Sequence, residues 1–102
     1  MNKNNLQLKV GVVIPCFQET TQILDVIKCI GSEVNQIIVI DDACPDKTGE
    51  YVKTHFADPR VKVITHTKNT GVGGATMSGY KCAIQDGCEI IVKVDGDGQM
   101  DP

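Results

Sequence analysis

The stretch QIIVIDD, residues 36–42, decides the fold. Ile37, Ile38, Val39 and Ile40 are β-branched, and such side chains fit an extended, pleated backbone better than a helix. No polar residue alternates with them, so neither face of the strand is meant for water. The run then stops at two acids, Asp41 and Asp42. A short strand buried on both faces belongs inside a parallel sheet that helices cover on both sides.

Three further runs share this grammar. VGVVI (10–14) is continuously apolar and closed by Pro15, RVKVIT (60–65) alternates as a half-exposed strand does, and EIIVKV (89–94) is closed by Asp95. Helix-period segments lie between them. Ile23, Val26, Ile27 and Ile30 fall at i, i+3, i+4 and i+7. Thr20 or Thr21 is placed to cap that helix and Gly31 follows its end. Asp46 is placed to cap a shorter helix burying Val52 and Phe56. A third helix is expected over about 73–85, with Met77, Tyr80 and Ile84 on one stripe and Gly87 ending it.

The order β-α-β-α-β-α-β predicts an α/β fold: a Rossmann-like three-layer α/β/α arrangement around a mainly parallel sheet. Right-handed crossovers favour the strand order 3-2-1-4. The reversal between strands one and four makes a switch point, and open α/β sheets bind ligands there, beyond the carboxyl ends of their strands.

Composition narrows the partners. A chain of 102 residues with formal net charge −3 has no basic stripe for phosphates, so nucleic acid is excluded as a main partner. Nothing approaches the roughly 20 apolar residues of a membrane span, and the polar start MNKNNLQLK is unlike a signal peptide. The odd cysteine set, Cys16, Cys29, Cys44, Cys82 and Cys88, contains no C-x-x-C pair. Free thiols in a cytoplasmic protein are therefore expected rather than zinc or a disulfide framework.

The unusual residues gather at one sheet edge. PCFQE (15–19) follows strand one, DDACPD (41–46) strand two and DGDGQMD (95–101) strand four. In extended backbone Asp95 and Asp97 point the same way, and two such carboxylates repel unless a cation sits between them. Oxygen-only ligation suits Mg²⁺ or Mn²⁺, with Gln99 adding a neutral oxygen and Gly96 and Gly98 leaving room for close approach. An EF-hand is excluded, because Met100 replaces the required glycine and a strand precedes the loop.

The glycine-rich NTGVGGATMSG (69–79) matches neither the dinucleotide fingerprint nor a Walker loop. It reads equally as a helix N-terminus facing an anion or as close packing of helix on sheet through Gly73, Gly74, Ala75 and Gly79. His55 and His66 lack an evident catalytic partner and read as surface or helix-end residues. Ser32 and Ser78 show no nucleophile elbow, and no covalent-catalysis triad is apparent.

VVIPCFQE, IIVIDDACPDKTGE, NTGVGGATMSGY and VKVDGDGQMDP, in this order and spacing, resemble the N-terminal nucleotide-sugar-binding half of family 2 glycosyltransferases with the GT-A fold. The last motif most resembles the branch containing dolichol- and polyprenyl-phosphate sugar synthases. The resemblance implies that Pro15, Phe17 and Glu19 line the base and ribose pocket and that Ile40 and Asp42 contact the base. It places Asp95 and Gly96 along ribose and diphosphate, with Asp97 and Gln99, beside Asp95, holding Mg²⁺ or Mn²⁺. Phe17 stands where tyrosine is usual, Gln18 where asparagine is, and Ala43–Cys44 replaces the usual x-Ser.

The implied activity is inverting, metal-dependent transfer from a nucleoside-diphosphate sugar to a lipid phosphate or a saccharide. A general base, if the acceptor needs one, is expected beyond Pro102. On this reading the chain is a truncated GT-A domain over residues 1–102, lacking the acceptor half and inactive alone. Its full-length form is expected in the cytoplasm or at the cytoplasmic membrane face. An open fourth strand is expected to favour self-association. Two alternatives compete: a GT-A-like nucleotidyltransferase, which PCFQET lacks the glycines and basic residues to support, and a non-catalytic flavodoxin-like binding module.

Overall fold

The computed structural model describes residues 8–16, 22–43, 45, 47–55 and 58–95. The elements run β1 (Val10–Cys16), α1 (Ile23–Lys28), β2 (Gln36–Asp41), α2 (Thr48–His55), β3 (Val61–Thr65), α3 (Gly71–Gln85) and β4 (Ile90–Lys93). The four strands form one sheet in the order β3-β2-β1-β4, all parallel. The register pairs Val12 with Ile37 and Val92, and Val39 with Val63.

Strand alternation sorts the core into two layers. Val12, Ile14, Ile37 and Val39 pack with Ile23 and Ile27 of α1 and Val52 of α2. Val13, Ile38 and Ile40 face the other way and pack with Ala75, Cys82 and Ala83 of α3. The sheet is thus sandwiched between α1 and α2 on one face and α3 on the other. Each fully buried Ile or Val contributes about 1.5–3 kcal/mol over its exposed state.

Where the helices depart from expectation, packing supplies the reason. α3 turns Ala75, Gly79, Cys82 and Ala83 to the sheet, whereas Met77 is 54% exposed and Ile84 64%. The predicted stripe of Met77, Tyr80 and Ile84 is not the buried one, although Tyr80 packs partly against the core. Small residues win because the helix lies so close to β1 that a Cβ on Gly79 would collide with the side chain of Val13. α1 begins after Gln22, which makes no side-chain cap bond, and ends at Cys29 in right-handed conformation, so Gly31 does not cap it. Thr20, Thr21, Asp46 and Phe56 lie outside the described residues.

Gly87 does end α3, at φ +88°. The Gly87 amide donates to the Ile84 carbonyl and the Cys88 amide to that of Ala83, closing a Schellman motif. The next residues feed directly into β4, and the amides of Glu89, just before it, and of Ile90, its first residue, donate to the Lys9 carbonyl.

Candidate functional site

The site is built where β1, β2 and β3 end. A cleft of about 540 Å³ opens beside the carboxyl end of β1, lined by Pro15, Cys16, Asp42, Asn69, Gly71, Val72 and Ala75. The first turns of α3 form one wall and the tip of β1 the other.

The two acids closing β2 are divided by the alternation of the strand. Asp41 points to the α2 face, where its Oδ2 accepts the Gly49 amide at 2.8 Å, in the first turn of α2. Asp42 points to the α3 face. Its Oδ1 accepts the Thr70 amide at 2.9 Å and the Thr70 hydroxyl at 2.8 Å, and its Oδ2 accepts the Gly71 amide at 2.8 Å. Asp42 thus serves as the anion at the N-terminus of α3, satisfying donors that the helix cannot satisfy itself. The two amides offered to an anion in the glycine-rich stretch are therefore already engaged by this chain's own carboxylate.

Backbone geometry makes the contact possible. Gly71 opens α3 at φ +81°, a region that strains residues with a Cβ. Ala43 holds φ 60° immediately after Asp42 and Lys47 holds φ 55°, left-handed conformations costing each non-glycine residue about 1–2 kcal/mol. Asn69 ties the same corner, its Nδ2 donating to the Asp42 carbonyl at 3.1 Å.

Burial of the Asp42 carboxyl works to raise its pKa, but hydrogen bonds from His66, Thr70 and Gly71 outweigh it and hold the group below its ordinary value. The sequence marks His66 as a surface or helix-end residue with no evident catalytic partner; the structure places it half-buried just before α3 with two side-chain partners. Its Nδ1 lies 2.8 Å from Asp42 Oδ1 and its Nε2 2.8 Å from Ser78 Oγ. No local motif could announce that pair, because Asp42, His66 and Ser78 meet only when β2, β3 and α3 assemble.

The sequence-derived site residues fall as follows. Pro15 and Asp42 meet at the cleft. Ile40 is fully buried in the α3-side core, so its side chain does not open on the cleft. Asp95, just past β4, is 45% exposed at its side chain and pairs with Lys93 at 3.5 Å. Phe17, Glu19, Gly96, Asp97 and Gln99 lie outside the described residues. Among the described residues no three His, Cys, Asp or Glu side chains gather closely enough to hold a metal. Cys29, Cys82 and Cys88 are free thiols. No helix of the described residues is long and apolar enough to cross a membrane.

Comparison with known proteins locates this architecture. Glycosyl transferase family 2 matches residues 11–102. An undecaprenyl-phosphate mannosyltransferase of Micrococcus luteus is 32% identical over 98 residues, covering 93% of this chain and 40% of that protein. Mannosyl-3-phosphoglycerate synthase from Rubrobacter xylanophilus superposes with a TM-score of 0.73 at 18% identity, over 98% of this chain and 34% of its own. S. aureus TarS 1-349 in complex with UDP-GlcNAc superposes with a TM-score of 0.69 at 23% identity, over 88% and 27%. The sheet order and layers are those of GT-A glycosyltransferases. The chain spans less than half the length of each of these proteins.

Proposed function

The chain belongs to glycosyl transferase family 2, and from that premise we propose that it forms the donor-binding portion of an inverting, metal-dependent glycosyltransferase. The donor is a nucleoside-diphosphate sugar and the acceptor a polyprenyl phosphate, with a saccharide as the alternative. The observation that carries this reading is the cleft at the carboxyl end of β1, whose volume of about 540 Å³ suits a nucleotide-sized ligand. The acceptor class is supported by likeness to a mannosyltransferase named for undecaprenyl phosphate, and the donor class by likeness in fold to a protein holding UDP-GlcNAc.

In this reading Pro15, Val72 and Ala75 supply apolar contact for base and ribose, and Asn69 and Asp42 fix the polar edge. Asp42 is not a general base, because both its oxygens already accept hydrogen bonds that favour the ionised form. An ionised polyprenyl phosphate needs no base, whereas a hydroxyl acceptor does. Asp95, with Asp97 and Gln99 of the sequence that follows, would supply an all-oxygen donor set suited to Mg²⁺ or Mn²⁺, and the exposure of the Asp95 carboxylate fits that role. A bound ion there would offset charge on the leaving nucleoside diphosphate as a Lewis acid. The free thiols of Cys29, Cys82 and Cys88 support placement on the cytoplasmic side.

Calorimetric titration with UDP, GDP and CDP, with and without Mn²⁺, tests the proposal on this chain and on Asp97→Asn. The expected outcome is metal-dependent binding of one nucleotide, weakened by at least about tenfold in the variant. Failure of all three to bind the folded chain overturns it.

A further inference from the structure

We propose that His66 is a positioning residue for the cleft: pinned between Asp42 and Ser78, it fixes the Asp42 carboxylate on the start of α3, at the edge of the cleft. The inference rests on the reading of the cleft as the nucleotide site.

The hydrogen-bond pattern dictates the arrangement. An ionised carboxylate only accepts, so the His66 nitrogen facing Asp42 Oδ1 at 2.8 Å carries a proton. Nε2 is then left to the Ser78 hydroxyl at 2.8 Å, which rotates to donate or accept as the ring requires. Ser78 lies two turns along α3 from Gly71, so one imidazole ties the end of β3 to the middle of the helix and to the anion at its start. Thr70 closes the ring, its Oγ1 lying 2.8 Å from Asp42 and 3.2 Å from His66 Nδ1.

The connectivity is that of an Asp–His–Ser triad, but the placement is not catalytic. Ser78 sits inside a fifteen-residue helix, where backbone N–H groups are committed to helical carbonyls and leave none to stabilise an oxyanion. What the imidazole does instead follows from geometry. Asp42 lines the cleft, and so do Asn69, Gly71, Val72 and Ala75 of the segment it anchors. A carboxylate released from one of its donors loses its fixed place at the cleft edge, and the wall it anchors slackens. His66 prevents both.

The test compares His66→Ala, His66→Asn and Ser78→Ala with the parent chain. Asn places an N–H where Nδ1 stands and cannot reach Ser78. Three quantities are read: nucleotide affinity by calorimetry, thermal midpoint, and amide hydrogen exchange at Thr70 and Gly71. In His66→Ala, affinity is expected to fall about tenfold and exchange at Thr70 and Gly71 to quicken by a similar factor, the equivalent of one hydrogen bond to a charged group. His66→Asn is expected to restore most of both, and Ser78→Ala to fall between. The proposal is overturned if exchange at Thr70 and Gly71 is unchanged in folded His66→Ala. It is also overturned if affinity follows the thermal midpoint alone across the three variants, with no rescue by Asn. Should the parent chain bind no nucleotide, the donor-site reading fails by itself, and the exchange comparison still decides whether His66 holds Asp42 to α3.

Discussion

Asp42 shows how one side chain joins strand, helix and cleft. It is buried, yet its donors keep its pKa below the ordinary 3.8. A carboxyl whose folded pKa lies below its unfolded one stabilises the fold fully above the unfolded value. That contribution declines as the pH falls from there and is gone once the pH has passed below the folded value. Asp58, hydrogen-bonded by Arg60, and Asp86, hydrogen-bonded by Gln36 and Lys62, are shifted in the same direction. Urea midpoints measured from pH 7 down to pH 2 are therefore expected to hold to about pH 4 and to fall below it for the parent chain. Asp42→Asn is expected to start lower at pH 7, by about 1–3 kcal/mol, and to decline less steeply. Parallel curves for the two proteins would show that Asp42 does not carry this acid sensitivity. That Asp41 and Asp42 close a buried strand was legible in the sequence. Which helix each one serves was not, because strand parity assigns the face but says nothing about what packs there.

Among the elements, α3 is the one whose face the sequence misassigned. A helix-period pattern marks large apolar residues for the core, yet here the sheet receives Ala75, Gly79 and Ala83 while Met77 and Ile84 remain exposed. The cause is separation: with Gly79 against Val13, the space between helix and sheet admits no larger side chain. Two substitutions separate the faces by chemical denaturation. Gly79→Ala is expected to destabilise the chain by about 1–3 kcal/mol through overpacking, although alanine is the better helix former. Ile84→Lys, on the outer face, is expected to stay within about 0.5 kcal/mol of the parent. The reverse ranking would refute the close-packed assignment. By contrast Gly87 was readable in advance, since a glycine after the last helical turn has a purely local job.

Over the whole molecule, β1 and β2 carry the core on both faces, and the two layers answer to the same strands. Ile37→Ala opens a void under α1 and α2, and Ile38→Ala one under α3; both residues are fully buried. Each is expected to cost about 2–5 kcal/mol, a large share of the 5–15 kcal/mol usual for a whole domain, so both variants should lose most of their urea resistance. A near-neutral result for either would mean that its layer is not a packed core. The sequence by itself determined the four strands, the three crossovers, the parallel order 3-2-1-4 and the sheet edge at which the cleft opens. Those follow from β-branched runs, helical spacing and the fixed hand of crossovers, all of which are local or nearly so. Only the tertiary structure decided that Asp41 and Asp42 serve different helices, that Ala75, Gly79 and Ala83 rather than Met77 and Ile84 form the buried stripe of α3, and that His66 and Ser78 hold the acid beside the cleft. These pairings join residues far apart in the chain, and their energies come from distances that exist only after the sheet and helices have closed on one another.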